Sequence, residues 1–141
     1  MPDLREKCER LAERLPLDEG RTWGFQSPDD GAPAELYLPL TRTREGGWLR
    51  SRTITVPTPD APLHEHLSFV GRIVGLLPGG WTLDTLAWSD TPEMIPEARW
   101  MVTLNKPYAM RPFKGPLPQG FAPTPTEAAI DAALSVLEET P

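Results

Sequence analysis

Trp81-Thr82-Leu83-Asp84-Thr85-Leu86-Ala87-Trp88-Ser89 and Arg99-Trp100-Met101-Val102-Thr103-Leu104-Asn105 are the segments on which the fold turns. Both are rich in tryptophan, threonine and aliphatic residues, the types that suit a pleated, half-buried surface. The second alternates cleanly, with Trp100, Val102 and Leu104 to one side and Met101 and Thr103 to the other. Leu86, Trp88 and Met101 are expected to share the second face. A strand pair that is apolar on both sides needs cover on both sides, so helices must supply it.

Those helices are legible on either side of the pair. Thr124-Pro125-Thr126-Glu127 sets a hydroxyl at the cap, proline at the first helical position and glutamate at the third. Ile130, Ala133, Leu134 and Leu137 follow at core spacing, and Ala128, Ala129, Ala132 and Ala133 make this last helix narrow enough to sit close to a sheet. Residues 62–77 predict another helix, with Asp60 to cap it and Leu63, Leu67, Val70, Val74 and Leu77 as its stripe. Gly71 and Gly75 are poor helix formers, and their presence predicts close approach by a neighbouring element. Residues 3–15 predict a first helix opened by Asp3 and Glu6, with Leu4, Cys8, Leu11 and Leu15 on one face and Pro16 as its stop.

Eighteen prolines punctuate the 141 residues, and proline is excluded from helix interiors and central strands. On that ground residues 16–39 and 107–125 read as Pro-rich loops. Leu36 to Leu40 and Trp48 to Val56 read as a looser hairpin around Gly46-Gly47, and Trp23-Gly24-Phe25 as a short edge strand. The fold class that results is α+β: one domain over 1–141, in the order α-β-β-α-β-β-α, with a small, mainly antiparallel sheet sandwiched between helices.

From about Val56 to residue 139 this order resembles the phage ABA sandwich domain, found in small proteins of bacteriophages and prophages. The resembling pieces are the proline-containing lead Val56-Pro57-Thr58-Pro59-Asp60 into a helix, the tryptophan-bearing strand pair, and the Ala-rich helix opened by Ala122-Pro123-Thr124-Pro125-Thr126-Glu127-Ala128. The resemblance implies a phage- or prophage-encoded protein in the host cytoplasm. It brings no catalytic residues to carry over.

Composition narrows the chemistry. One cysteine excludes a disulfide framework and multi-thiolate metal sites. The polar, acidic start is no secretory signal, and the longest apolar run, Phe69 to Leu77, is interrupted by Arg72 and too short to span a bilayer. No phosphate-binding, nucleophile-elbow or zinc motif occurs. His64-Glu65-His66 would splay its imidazoles about 200° apart on a helix; one is expected to be solvated and the other to bond a neighbour. Cys8 reads as a small buried hydrophobe, its nearby Glu6, Glu9 and Glu13 raising its pKa. Asp29/Asp30 and Glu138/Glu139 read as solvated pairs. No cofactor and no metal are expected.

Charge distribution says more than the net −6. Residues 36–56 hold Arg42, Arg44, Arg50 and Arg52 against Glu45 alone, and residues 98–126 hold Arg99, Lys106, Arg111 and Lys114 with no acid. Trp48, Tyr108 and Phe113 lie among these cations. Arg42, Arg44, Trp48, Arg50, Arg52, Lys106, Tyr108, Arg111, Phe113 and Lys114 are therefore the candidate binding residues, provided the hairpin and the second basic segment meet. The bland alternative is that these cations face the protein's own acidic helices or guard an edge strand. The expectation is a non-enzymatic accessory protein that binds a protein partner, for instance a modulator of a host or defence system. A nucleic-acid binder using the basic aromatic hairpin is the second reading, disfavoured by a pI near 4.9. An enzyme with a carboxylate site is the third.

Overall fold

The computed structural model describes residues 4–27, 34–89, 99–106 and 117–139. Helix α1 (Leu4–Arg14) forms where apolar residues recur every three to four positions, and it buries Cys8, Leu11 and Ala12. Leu15 seals the core just past its end. Asp3, the expected cap, lies outside the described residues.

Residues 16–39 are not all loop. They contain β1 (Gly24–Gln26) and β2 (Glu35–Leu38), which pair with β5 (Arg52–Thr55) as a three-stranded antiparallel sheet in the order β1-β2-β5. Prolines bracket these strands without entering them, and the eleven residues between Pro16 and Pro28 and the five between Pro33 and Pro39 suffice for such short strands. Phe25, Leu36 and Ile54 are cross-strand neighbours on the buried face, and Gly24, Tyr37 and Thr53 on the other. The Tyr37 ring lies so close over Gly24 that a Cβ there would meet its Cζ at 2.7 Å. The expected hairpin is divided in two by Pro39: its outer part is a separate ribbon of β3 (Thr41–Arg42) and β4 (Trp48–Leu49).

Helix α2 (Leu63–Leu76) starts one residue later than expected, with Pro62 as its N-cap and no side-chain cap. Asp60 does not cap it; its carboxylate accepts a hydrogen bond from the Thr58 hydroxyl at 2.7 Å. The buried stripe is His66, Phe69, Val70, Ile73 and Val74. Leu63 and Leu67, expected inside, are exposed, because Phe69 and Ile73 turn the helix toward their side. Gly71 and Gly75 do not receive a neighbour: nothing stands within 4 Å of where their Cβ atoms would be.

Strands β6 (Thr82–Trp88) and β7 (Trp100–Asn105) pair as the sequence predicts. The register puts Leu86 opposite Val102 and Trp88 opposite Trp100. Leu86 and Trp88 therefore share the first face with Val102 and Leu104, not the second with Met101. The bulge between Leu83 and Thr85 shifts the parity of β6, which simple alternation does not foresee. A third strand, β8 (Gln119–Ala122), pairs with β7, so the loop expected over 107–125 is corrected at its C-terminal end; residues 107–116 lie outside the described residues. Pro118 and Pro123 flank β8, which is tolerable because it is an edge strand.

Helix α3 (Pro125–Glu139) opens as the sequence predicts, the Thr124 hydroxyl accepting from the Glu127 amide at 3.2 Å. It packs on β7 and β8 on one side and against α1 and α2 elsewhere, and Ala128, Ala129, Ile130, Ala132 and Ala133 are all essentially inaccessible. The helix lies almost in van der Waals contact with β8: a Cβ on Gly120 would fall 2.1 Å from the Ala128 carbonyl oxygen. Lys7 pairs with Asp131 at 3.0 Å and with Glu127 at 3.2 Å, and Arg10 pairs with Glu138, tying α1 to α3. Burial works against the charge on Lys7, but the Asp131 and Glu127 carboxylates outweigh it and hold its pKa above the usual lysine value. The chain is an α+β fold whose three helices fall in the expected places, but five strands rather than two separate α1 from α2, three rather than two separate α2 from α3, and they divide into two three-stranded sheets and a ribbon instead of one sheet. No described helix is long and apolar enough to cross a membrane.

Candidate functional site

The candidate surface is built from a turn that precedes it in sequence. Asp18 and Arg21 exchange both backbone hydrogen bonds, at 3.0 and 2.9 Å, around Glu19 and Gly20, whose φ values are +51° and +81°. That is a primed two-residue turn, the kind that suits strand twist. It delivers Arg21 to the interior, where the side chain is buried. Its Nη1 donates to the carbonyls of Pro39 at 3.0 Å and Arg50 at 2.7 Å. Those two carbonyls flank the ribbon where the chain enters and leaves it. One guanidinium thus clamps both legs, and charged donors make such bonds stronger than neutral ones.

The far end of the ribbon is closed by its own threonine. Thr43 Oγ1 donates to the Gly47 carbonyl at 3.2 Å and accepts from the Gly47 amide at 3.0 Å. Gly46, at φ +89°, takes the left-handed conformation the turn requires. Between clamp and tip the ribbon contributes no residue to the core. Trp48 is 61% exposed and Leu40 60% exposed.

The ten sequence-predicted residues separate into groups. Arg42 lies over the Trp48 ring, 5.7 Å from its centroid, which orders both on one face. Arg44, at the tip, and Arg50, at the base, are exposed and form no ion pair among the described residues. Arg52 is engaged elsewhere: it pairs with Asp18 at 2.7 Å and stacks over Trp23 at 5.8 Å, an intramolecular role of the kind the bland alternative foresees. Lys106 is half-buried just beyond β7. Tyr108, Arg111, Phe113 and Lys114 lie outside the described residues, as do Asp29 and Asp30.

Of the titratable groups that tempted a catalytic reading, His66 and Cys8 are absorbed by the scaffold. His64 is exposed, whereas His66 is buried and its Nδ1 lies 2.7 Å from Thr126 Oγ1, joining α2 to α3. Burial lowers the His66 pKa, against the opposing pull of Glu65 and of a backbone hydrogen bond at Ala61. Burial also pushes the Cys8 thiol up to about 12, helped by the Glu127 and Glu9 carboxylates, so it is no nucleophile at neutral pH. Among the described residues no three histidine, cysteine or carboxylate side chains are grouped to hold a metal ion.

The clustering of Arg42, Arg44 and Trp48 is legible in the sequence, whereas the burial of Arg21 and the exposure of Leu40 are not. Glu19-Gly20 was the available signal for a turn; nothing in the sequence announces that the following arginine folds inward. Compared with family models, curated proteins and solved structures, the chain matches none.

Proposed function

We propose that this chain is a non-enzymatic accessory protein, phage- or prophage-encoded, that works by binding a protein partner in the host through the face carrying Leu40, Arg42, Arg44, Trp48 and Arg50. The observation that supports this reading is Trp48: a large aromatic, 61% exposed, on a ribbon that serves no core and yet is anchored at both ends. Tryptophan and arginine are the side chains that most often dominate protein interfaces. A pre-ordered pair loses little entropy on docking. Modulation of a host or defence system is the role that suits a small acidic body with one basic aromatic projection.

The test is enrichment from bacterial host lysate on immobilised wild-type chain beside a Trp48→Ala, Arg42→Ala double variant. Because the ribbon lies outside the core, the variant should melt at the wild-type temperature. A specific partner should be retained by the wild type and reduced about thirtyfold by the variant, the effect of removing a hot spot of about 2 kcal/mol. Equal retention on both would overturn the proposal. A gel shift that appears at low salt, collapses with added salt and weakens in the variant would move the same face to the nucleic-acid class.

A further inference from the structure

We propose that the open edge of β5, walled by α2, is a second binding site that takes an extended, acid-bearing peptide segment of a partner protein as an added strand. The site goes beyond the ribbon and shares none of its exposed face.

Strand parity gives the first argument. The Val56 amide donates to the Ala34 carbonyl at 2.8 Å, toward β2. In an antiparallel ladder alternate residues turn their backbone groups the same way. Ile54 and Arg52 therefore face β2, and Thr53 and Thr55 turn their N–H and C=O groups to the other side. β5 ends the sheet order β1-β2-β5, so that side has no strand on it among the described residues.

Shape gives the second. Two hollows of about 500 and 420 Å³ run between this edge and α2. One is lined by Thr55 to Thr58 with His64, Glu65, Ser68, Phe69 and Arg72, and the other by Arg52 to Ile54 with Arg72, Gly75 and Leu76. They adjoin at Arg72, and β5 itself, Arg52–Thr55, presents about 13 Å of edge at about 3.3 Å per residue, ending at Pro57, which has no amide to offer. The α2 wall is low where it carries Ser68 and Gly75, and space is open above Gly75. Main chain can lie there without displacing a side chain.

Charge gives the third and selects the occupant. Arg72, at the centre of the groove, forms no ion pair among the described residues. Arg52, at one end, is already paired with Asp18, so Arg72 is the cation left for an incoming acid, and Glu65, the one acid in the described lining, stands toward the other end. An added strand gains its affinity from main-chain hydrogen bonds and its selectivity from alternate side chains. An Asp or Glu in mid-strand beside Arg72 is the selective contact.

The experiment pans a displayed random heptapeptide library on the full chain, then measures recovered peptides by fluorescence polarisation against wild type, Gly75→Leu, Thr55→Pro and Arg72→Glu. Recovered sequences should alternate β-branched residues with a recurrent central acid and should shift the Thr53 and Thr55 amide signals. Gly75→Leu fills the groove on an open helix face and should fold at least as well as wild type while binding at least tenfold more weakly. Thr55→Pro removes an outward amide and should weaken binding likewise. Arg72→Glu should prefer the peptide whose acid is replaced by lysine. Trp48→Ala should leave all of this unchanged, which separates failure here from failure of the ribbon. No enrichment, equal binding to Gly75→Leu, or indifference to the peptide's charge overturns the proposal. So does a self-associated dimer dissolved by Gly75→Leu, which would assign the groove to a second copy.

Discussion

One buried polar contact shows what single residues contribute here. His66 and Thr126 meet between α2 and α3 with almost no access to water. Replacing one partner leaves the other unpaired, at a cost of about 1–3 kcal/mol, so Thr126→Val should lower the chemical-denaturation midpoint accordingly. The pH dependence follows from the direction of the His66 shift. Its folded pKa lies below the ordinary 6.5, so below that pH the unfolded chain takes up the proton first. The stabilisation is complete above 6.5 and is lost as pH falls from there toward the folded value. Denaturation midpoints measured across that window should fall in wild type and flatten in His66→Gln. The sequence suggested that one of His64 and His66 would be solvated and the other bonded; which was which depended on how α2 rolled onto its neighbours.

Elements were legible where they carry their own signals. The cap Thr124-Pro125, the alternation of 100–104 and the stripe of α1 act within a turn or a strand, and each appears where the sequence puts it. The strand β8 was hidden because four residues between Pro118 and Pro123 carry no period to detect, and its existence depends on β7 offering an edge. Likewise Arg42 and Trp48 could be found from spacing, but the inward turn of Arg21 is a tertiary event. The contact of β8 with α3 gives the sharpest prediction at this scale. Gly120→Ala forces a methyl group into the Ala128 carbonyl, backbone that cannot step aside. Overpacking of this kind costs about 1–3 kcal/mol or more, and thermal melts of Gly120→Ala should show that loss. A Gly71→Ala control, on the open face of α2, should instead gain slightly from helix propensity, by up to about 1 kcal/mol.

At the scale of the whole molecule, α3 is the shared wall. It touches α1, α2 and the β6-β7-β8 sheet, and α1 and α2 in turn carry the first sheet. A chain of this size with one common packing partner should unfold as a unit. Tryptophan fluorescence and far-ultraviolet circular dichroism should therefore give coincident denaturation curves, while the ribbon opens separately in amide exchange. Truncation after Thr124 should abolish the transition in both signals, not in one sheet alone.

The clamp at the foot of the ribbon has a longer reach. Arg21 holds Pro39 and Arg50 by their carbonyl oxygens, groups that every amino acid possesses, so it is blind to what side chains stand between them. Residues 41–49 are free to be rewritten without consulting the rest of the chain. On the proposed function, a lineage under pressure from a changing target can exchange this loop wholesale while the scaffold stays put, and an engineer can graft there on the same terms.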